Sequence, residues 1–342
     1  MRVMLAERIA RLPRQHLAFL PTPVHEVPRL SASIGNVRVV VKRDDQTGLA
    51  LGGNKTRMLE FTLGRAVADH ADCIVAASYV DSNHCRQAAA AAARLGLPCH
   101  LVLGTVGEQQ SCQGNLLLDC LLGARIEFVR ANSAADISAA AAARVDALRA
   151  AGKRPFLVTY ALEARALGTI AHVAAFLELI TQLECASIHP ESLYVSSGGN
   201  TYAGLLLGAR LTKSNMRVVG IMPEGRREEA YRQVPVLMAR AAQMLDIADP
   251  RDVGPMVDLD DAFLGPGYGT PSDAGNKALM LAAQKEGLLL DPIYTGKGMA
   301  GLIAHAQMGR IRAGHTAVFV HTGGGPALFE HAQQLGQLSV AG

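Results

Sequence analysis

The chain has 342 residues, a formal net charge of +3, 49% hydrophobic residues and 18% charged residues. This apolar content can form a substantial core, and the length predicts two domains or one large domain with an inserted lobe. The weak charge, without basic runs that alternate with aromatic residues, argues against nucleic acid as a partner, and we expect no apolar run long enough to span a bilayer.

The cysteines and the N-terminus indicate a cytoplasmic protein. The six cysteines have no Cys-x-x-Cys spacing, so in a chain of this length we expect reduced thiols and no metal site. The N-terminal segment mixes Glu7 with several arginines and lacks the apolar core of a signal peptide.

Helix-like and strand-like periods alternate along most of the chain. A short amphipathic helix opens the sequence and stops at Pro13, and further helices are predicted over residues 30–34, 58–68, 83–95, 115–122, 134–151, 168–183, 201–211 and 228–247. Strands are predicted over residues 37–41, 73–77, 99–103, 126–129, 157–158, 193–195 and 218–221, and a last strand leads into Gly323. This alternation is typical of parallel sheets with helices on both faces, and the strands are too many for one compact sheet, so we predict two α/β lobes.

The stretch Gly52-Gly53-Asn54-Lys55 follows one of these strands and precedes a helix. The two glycines allow a tight turn and a close approach of the backbone to a ligand. Lys55 then stands at a helix N-terminus, where the dipole and the nearby N–H groups disfavour an ammonium ion. Such a lysine is suited to act as an amine nucleophile that forms a Schiff base, although the stretch alone would also suit a solvated surface turn.

Ser82, Asn83 and His84 begin an alanine-rich helix. Ser82 is a favourable N-cap, and the N–H groups that follow it can bind a carboxylate or a phosphate. Plain helix capping is the alternative, but Asn83 and His84 are unusual in a helix that is otherwise largely alanine, and they favour a ligand.

A turn rich in serine and glycine, residues 196–201, follows the predicted strand at Tyr194. Its small residues expose successive backbone N–H groups and its hydroxyls add donors, which is the design of a phosphate cup. The turn has neither the Gly-Lys-Ser/Thr of a Walker loop nor the spacing of a dinucleotide fingerprint. A tight strand-to-helix turn without a ligand is the alternative.

Two glycine-rich segments near the C-terminus contain tyrosines and threonines. Tyr268 and Tyr294 lie on predicted loops, where they can line the rim of a site, act as acid–base groups or stack on a ring. Thr295-Gly296-Lys297-Gly298 resembles part of a P-loop, but the upstream glycine of that motif is replaced by Asp291, so we reject it. Thr322 ends the last strand, and its hydroxyl can meet a heterocyclic nitrogen.

A nucleophilic lysine, a phosphate cup and a strand-end hydroxyl together point to one cofactor, pyridoxal 5'-phosphate. Its aldehyde needs an amine, its phosphate needs an anion site and its ring nitrogen needs a contact. The chain at this point resembles the pyridoxal-phosphate enzymes of the tryptophan-synthase-β-like fold. Within them it resembles the family of D-cysteine desulfhydrase, 1-aminocyclopropane-1-carboxylate deaminase and cysteate sulfo-lyase. The motifs 52–57, 82–84 and 291–297 carry the resemblance, which extends from Pro21 to Gly324.

The resemblance implies a fold type II enzyme with two three-layer α/β/α lobes and mainly parallel sheets. It implies a small domain at residues 51–164, a large cofactor-binding domain at residues 1–50 plus 165–342, and a homodimer that acts on a small amino acid. It assigns to Lys55 the bond to the cofactor and the proton at the substrate Cα, and to Asn83 a hydrogen bond to the cofactor's phenolic oxygen. Ser82 and the N–H groups around His84 are expected to hold the substrate carboxylate. The phosphate is expected at Ser197, Gly198, Gly199, Asn200 and Thr201.

Two threonines indicate the activity. By the resemblance, Tyr294 and Tyr268 flank the substrate, and Thr295 or Thr322 faces the pyridine nitrogen. Cyclopropane deaminases resemble this pattern except for an acidic residue at the position of Thr295 and an aliphatic one at that of Thr322. A neutral hydroxyl makes the ring a weaker electron sink than an acid does, which suffices when a good leaving group departs from Cβ. We therefore expect β-elimination, with D-cysteine desulfhydrase activity as the leading hypothesis.

One departure leaves the substrate open. Tyr79 and Asp81 precede Ser82, where the family usually has glycine and glutamine-like residues, and they add bulk and charge beside the expected carboxylate pocket. D-Cysteine, L-cysteate and another β-substituted alanine are all compatible, and a cyclopropane deaminase is disfavoured by the two threonines. A non-catalytic module that binds a phosphorylated ligand is the hypothesis from a different class.

Overall fold

The computed structural model describes residues 1–105, 111–158, 161–247 and 256–340, with residues 338–340 described by their backbone alone. The helices are α1 (Arg2–Ala10), α2 (Pro28–Ser33), α3 (Lys55–Ala68), α4 (Asn83–Arg94), α5 (Gly114–Leu121), α6 (Ala134–Ala150), α7 (Leu162–Cys185), α8 (Asn200–Leu211), α9 (Arg227–Met244), α10 (Asp273–Glu286), α11 (Thr295–Gln307), α12 (Ala327–Glu330) and α13 (Ala332–Val340). The strands are β1 (Val24–Glu26), β2 (Arg38–Lys42), β3 (Cys73–Tyr79), β4 (Cys99–Thr105), β5 (Arg125–Arg130), β6 (Pro155–Val158), β7 (Ser192–Ser196), β8 (Arg217–Ile221), β9 (Leu259–Asp260) and β10 (Thr316–Val320).

The described strands form two sheets. The larger sheet has the order β1-β2-β10-β7-β8-β9, in which β1 is antiparallel to β2 and the other neighbours are parallel. The smaller sheet has the order β5-β4-β3-β6, and all its pairs are parallel. Two mainly parallel sheets confirm the predicted α/β class. In each sheet the loops after parallel strands meet at one edge, which is where such folds bind ligands.

Both faces of the larger sheet are covered by helices, which explains its near-continuous apolar strands. Val40 of β2 packs into a cluster with residues of α7 and α8, whereas Val39 and Val41 pack into a second cluster with residues of α10 and α11. A third cluster packs β3 and β4 against α3 and the alanine-rich α4. Side chains alternate across a strand, so one valine run serves two helical layers.

Helix α7 is a core helix that starts earlier than the sequence predicted, at Leu162 instead of Gly168. The expectation that no apolar run is long enough to span a bilayer was wrong, because α7 is long enough and apolar enough to do so. However, 72% of its most apolar window is buried inside the protein. Glycines of α8 allow close packing, since a Cβ at Gly208 would lie 2.7 Å from Phe176 Cβ.

Helices α10 and α11 were not predicted, and the loop expected at Tyr294–Gly298 is in fact the start of α11. Its glycines disfavour a helix by local propensity. They are explained by packing on the sheet, because a Cβ at Gly298 would lie 2.9 Å from Ser196 Cβ and one at Gly301 would lie 2.4 Å from Ile221 Cδ1. Tertiary contact therefore overrides local preference here.

Candidate active site

A cavity of about 890 Å³ lies where β3, β4, β7, β8 and β10 end, so loops from both sheets line it. All the predicted site residues except Thr295 line this cavity, namely Lys55, Tyr79, Asp81, Ser82, Asn83, His84, Ser197, Gly198, Gly199, Asn200, Thr201, Tyr268, Tyr294 and Thr322. Residues far apart in sequence are thus brought to one place by the strand order.

Lys55 is the first residue of α3, and the turn before it is fixed by tertiary hydrogen bonds. Gly53 has φ +124°, and its N–H donates to Thr47 Oγ1 at 2.8 Å. The Asn54 N–H donates to Thr322 O at 2.9 Å, and Asn54 Nδ2 donates to Thr201 Oγ1 at 2.9 Å. Burial lowers the pKa of the Lys55 ammonium, and the Glu224 carboxylate opposes that shift. A lowered pKa increases the fraction of free amine, as a nucleophile or proton acceptor requires.

A buried ionic network anchors the first turn of α3. Arg57 donates from Nε to Asp44 Oδ2 at 2.9 Å, from Nη2 to Asp44 Oδ1 at 2.8 Å and from Nη1 to Glu178 Oε2 at 3.0 Å. Lys42 Nζ also donates to Glu178 Oε1 and to Thr22 O. These contacts link α3 to β2 and to α7, two residues beyond Lys55, and so fix the direction in which α3 leaves the turn.

The N-terminus of α4 faces the cavity with its expected cap. Ser82 Oγ accepts a hydrogen bond from Cys85 N at 3.3 Å. Asn83 Oδ1 is buried without a hydrogen-bond partner in the described part of the chain. Burial, followed by the Lys55 charge, lowers the pKa of His84 to about 3. His84 is therefore neutral at pH 7, and an anion at this helix end would be held by N–H groups and the dipole.

The turn at Ser197–Thr201 forms a cup at the N-terminus of α8. Within the described residues, the backbone N–H groups of Asn200 and Thr201 donate to no acceptor, as expected for a first helical turn. A Cβ at Gly199 would meet nothing within 4 Å, so space is open on that side of the cup. Open space and free donors together suit a phosphate group.

Tyr294 and Tyr268 meet at one wall of the cavity. Their hydroxyl oxygens are 2.7 Å apart, and their rings are in an edge contact with centroids at 6.3 Å. Asp291 positions Tyr294, because its Oδ1 accepts from Tyr294 N at 2.7 Å. Burial raises the pKa of Tyr294 well above its usual value, with the charges of Tyr268 and Glu224 adding to the shift. The Tyr294 hydroxyl therefore stays protonated at neutral pH and can donate a hydrogen bond.

Of the two threonines expected at the ring nitrogen, Thr295 lies outside the cavity lining. Its Oγ1 donates to Asp291 Oδ2 at 2.6 Å and accepts from Asp291 N at 2.8 Å, and the residue is fully buried outside the cavity lining. Its hydroxyl is thus bound to Asp291 at the start of α11. Thr322 follows β10 and is the only one of the two threonines that lines the cavity.

Several cavity residues were missed from the sequence. Glu224 follows β8, while Arg165, Arg226, Glu229 and Glu330 come from helical segments or their ends. None lies in a glycine-rich or hydroxyl-rich motif. Glu224 could have been found from its position, since it follows the next predicted strand after the one that precedes the phosphate cup. Consecutive strands of a parallel sheet often lie side by side, and residues that follow them then share an edge.

The donor set of the cavity fits pyridoxal phosphate. An amine with a lowered pKa, free N–H groups at a helix N-terminus, the Asn83 side-chain amide and the Thr322 hydroxyl line one space. These are the groups required by an aldehyde, a phosphate, a phenolic oxygen and a ring nitrogen.

Comparison with known proteins agrees with this geometry. Residues 16–323 match the family model described as pyridoxal-phosphate dependent enzyme. The D-cysteine desulfhydrase of Klebsiella pneumoniae (strain 342) is 38% identical over 338 residues, which cover 97% of this chain and 100% of that protein. The D-cysteine desulfhydrase of Salmonella typhi is 38% identical over 328 residues, which cover 94% of this chain and 97% of that protein.

Solved structures show the same architecture. One described as an ACC deaminase homologue has 32% identity and a TM-score of 0.89, and the match covers 99% of this chain and 100% of that one. The processed form of threonine deaminase isoform 2 from Solanum lycopersicum has a TM-score of 0.70, and the match covers 99% of this chain and 93% of that one. Because its identity is only 15%, it shows the fold alone. The family resemblance predicted from sequence is confirmed.

Proposed function

This chain belongs to the family of pyridoxal-phosphate-dependent enzymes, and we propose that within it the protein is a lyase that removes the β-substituent of a β-substituted alanine. D-Cysteine is the proposed substrate, with pyruvate, ammonia and sulfide as products. One observation carries the proposal: Lys55 shares a single cavity with the N-termini of α4 and α8 and with Thr322. The relatives named as D-cysteine desulfhydrases support the choice of substrate.

When bound, pyridoxal phosphate supplies an electron sink conjugated to the substrate Cα. We assign its phosphate to the cup at Ser197–Thr201, its phenolic oxygen to Asn83 and its ring nitrogen to Thr322. The residues of the cup bind with N–H groups and a helix dipole, so no charged side chain is needed there. Thr322 offers a neutral hydroxyl, which does not force a proton onto the ring nitrogen as a carboxylic acid would.

The protein's own groups position and deprotonate the amino acid. The N-terminus of α4, with Ser82 and His84, is proposed to hold the substrate carboxylate. Lys55, whose pKa is lowered by burial, then accepts the proton from the substrate Cα. Tyr294, held against Tyr268 and oriented by Asp291, stands on another wall of the same cavity, where it can donate a hydrogen bond to the departing group.

We further propose a cytoplasmic homodimer with a small domain at residues 51–164. The free state of the six cysteines supports a reducing compartment. The domain division is supported by sheet membership, because all four strands of the smaller sheet lie within that range. Sedimentation at micromolar concentration tests the dimer.

Replacement of the cavity lysine tests the proposal. Lys55→Ala is expected to lose at least about 100-fold in pyruvate release, the lower end for removal of a proton-transfer group, and to lose covalent binding of the cofactor. Lys277→Ala, at an exposed position on α10, is the matched control and should retain both. Pyruvate release by Lys55→Ala equal to that of the control would refute the assignment.

A further inference from the structure

Glu224 is a cavity carboxylate to which the proposed reaction gives no role. It follows β8 and lines the cavity. In the described part of the chain, no hydrogen bond or ion pair engages its carboxylate. The neighbouring Glu229 differs, since it accepts from Gln233 Nε2 at 2.6 Å and lies 3.9 Å from Arg226 Nη1.

Glu224 lies within electrostatic reach of the reacting groups. Burial raises the pKa of its carboxyl, and the Lys55 ammonium is the strongest charge that opposes this. The charge of Glu224 in turn raises the pKa of Lys55 against the effect of burial, and it contributes to the raised pKa of Tyr294. Lys55, Tyr294 and Glu224 all line the one cavity in which the substrate is proposed to lie, so the charge of Glu224 acts on that substrate as well.

The charges of the cavity favour one sign of substituent. Its acidic lining residues are Asp81, Glu224, Glu229 and Glu330, and its basic ones are Lys55, Arg165 and Arg226. The bound cofactor adds a phosphate and occupies the Lys55 amine, so the loaded cavity becomes more negative. A group with a formal negative charge on Cβ meets repulsion there, whereas a neutral or cationic group does not.

We propose that Glu224 is one residue that selects the Cβ substituent by its charge: alanines that bear a neutral thiol or an ammonium group at Cβ are accepted, with the ammonium favoured over a sulfonate, which is rejected. The inference rests on the proposed β-elimination and names its substrate class. With an ammonium substituent, Lys55 accepts the Cα proton, the Cβ–N bond breaks, and its electron pair leaves with nitrogen as ammonia. The three-carbon remainder takes up one water to give pyruvate and a second ammonia, so no oxidant or reductant is needed.

Substrate pairs of opposite charge test this selection in the holoenzyme. We would measure kcat/KM for 2,3-diaminopropionate and cysteate, each in both enantiomers, beside D-cysteine. In the wild type the diammonium substrate should exceed cysteate by at least about tenfold, which corresponds to about 1.4 kcal/mol. Glu224→Gln should reduce that ratio about tenfold, with D-cysteine changed less than about threefold, because its thiol is neutral. Glu229→Gln, which removes a charge that already has partners, should change the ratio less than about threefold.

An affinity measurement separates this inference from the proposed lyase activity. Calorimetry with 2,4-diaminobutyrate and homocysteate, which carry no leaving group at Cβ, should show that Glu224→Gln weakens the first and strengthens the second. Glu224→Ser serves as a second variant if the glutamine variant fails to fold. Unchanged affinities and an unchanged kcat/KM ratio overturn the role of Glu224. A wild type that releases no product from any of these substrates overturns the proposed elimination, while the two affinities still decide the charge preference.

Discussion

Arg57 offers a stringent test of how the fold holds Lys55. Its side chain is 3% exposed, and it pairs with Asp44 and Glu178, whose side chains are 2% and 15% exposed. Arg57→Met keeps most of the volume and removes the guanidinium. The cluster of Lys42, Arg57, Asp44 and Glu178 is formally neutral, so the substitution leaves one buried negative charge without compensation.

The expected loss of stability follows from that charge. Removing one partner of a buried, hydrogen-bonded ion pair costs about 3–5 kcal/mol, mostly because the remaining carboxylate stays desolvated. Unfolding entropies of about 2.1 cal/mol/K per residue then predict a Tm lower by about 4–7 °C for a chain of 342 residues. Since Arg57 follows Lys55 by one turn or less, cofactor occupancy should fall as well.

The effect should depend on pH with a definite sign. In the folded protein, Asp44 and Glu178 have pKa values below those of the unfolded chain; burial opposes these shifts, and Arg57 with Lys42 produces them. Their contribution is present above the unfolded pKa and is lost as pH falls through the folded pKa. The difference in stability between wild type and Arg57→Met should therefore be largest near neutral pH and shrink in acid.

Chemical and thermal unfolding, followed by circular dichroism, provide the assay. Arg65→Met is the control on the same helix, because its partner Asp69 and Arg65 itself are exposed, and it should cost no more than about 0.5 kcal/mol. If Arg57→Met is destabilised no more than Arg65→Met, or if its deficit grows in acid, the account of the buried network is wrong.

Three further predictions concern the cavity. Asp81→Asn should improve kcat/KM for cysteate relative to cysteine by about fivefold, from about 1 kcal/mol of screened repulsion, and equal changes for both substrates would contradict it. Gly53→Ala should lower the free energy of unfolding by about 1–3 kcal/mol, because φ is +124° and the new Cβ would lie 2.6 Å from Gln87 Nε2. Gly267→Ala is the control, because the space around it is open and its φ is ordinary, and its unfolding curve should match that of the wild type. Tyr294→Phe should lower kcat for D-cysteine at least about tenfold with little change in KM, because its hydroxyl assists the leaving group. Steady-state kinetics measure both constants, and an unchanged kcat would contradict this role.

Local patterns predicted much of the fold and most of the cavity. The cap at Ser82 and the alternation of strands and helices depend on residues that are close together in the sequence, so α4 and the two sheets could be predicted. Lys55 and Thr322 were predicted to share a site because one cofactor needs both groups, and Asn83 was added by the family resemblance. The loops after parallel strands converge by topology, which brings the three residues to one cavity.

What was missed depends on contacts between distant segments. Helix α11 has unfavourable glycines that make sense only against β7 and β8. Arg57 and Glu178 are 121 positions apart in the sequence, and no local pattern predicts that they pair. Thr295 or Thr322 was expected to face the ring nitrogen, and only the structure shows that the Thr295 hydroxyl donates to Asp291 and lies outside the cavity lining. Glu224 lies in no motif and was identified only because it lines the cavity.

The most direct test of the central claim is product analysis on the purified protein, after its absorption spectrum has been recorded with and without added pyridoxal phosphate. D-Cysteine, L-cysteine, L-cysteate and the cyclopropane amino acid would be supplied side by side. We predict a yellow protein that releases pyruvate with sulfide from D-cysteine. A colourless protein that added cofactor does not change, and that releases no ammonia from any of the four, would contradict the assignment of Lys55 and with it the proposed reaction.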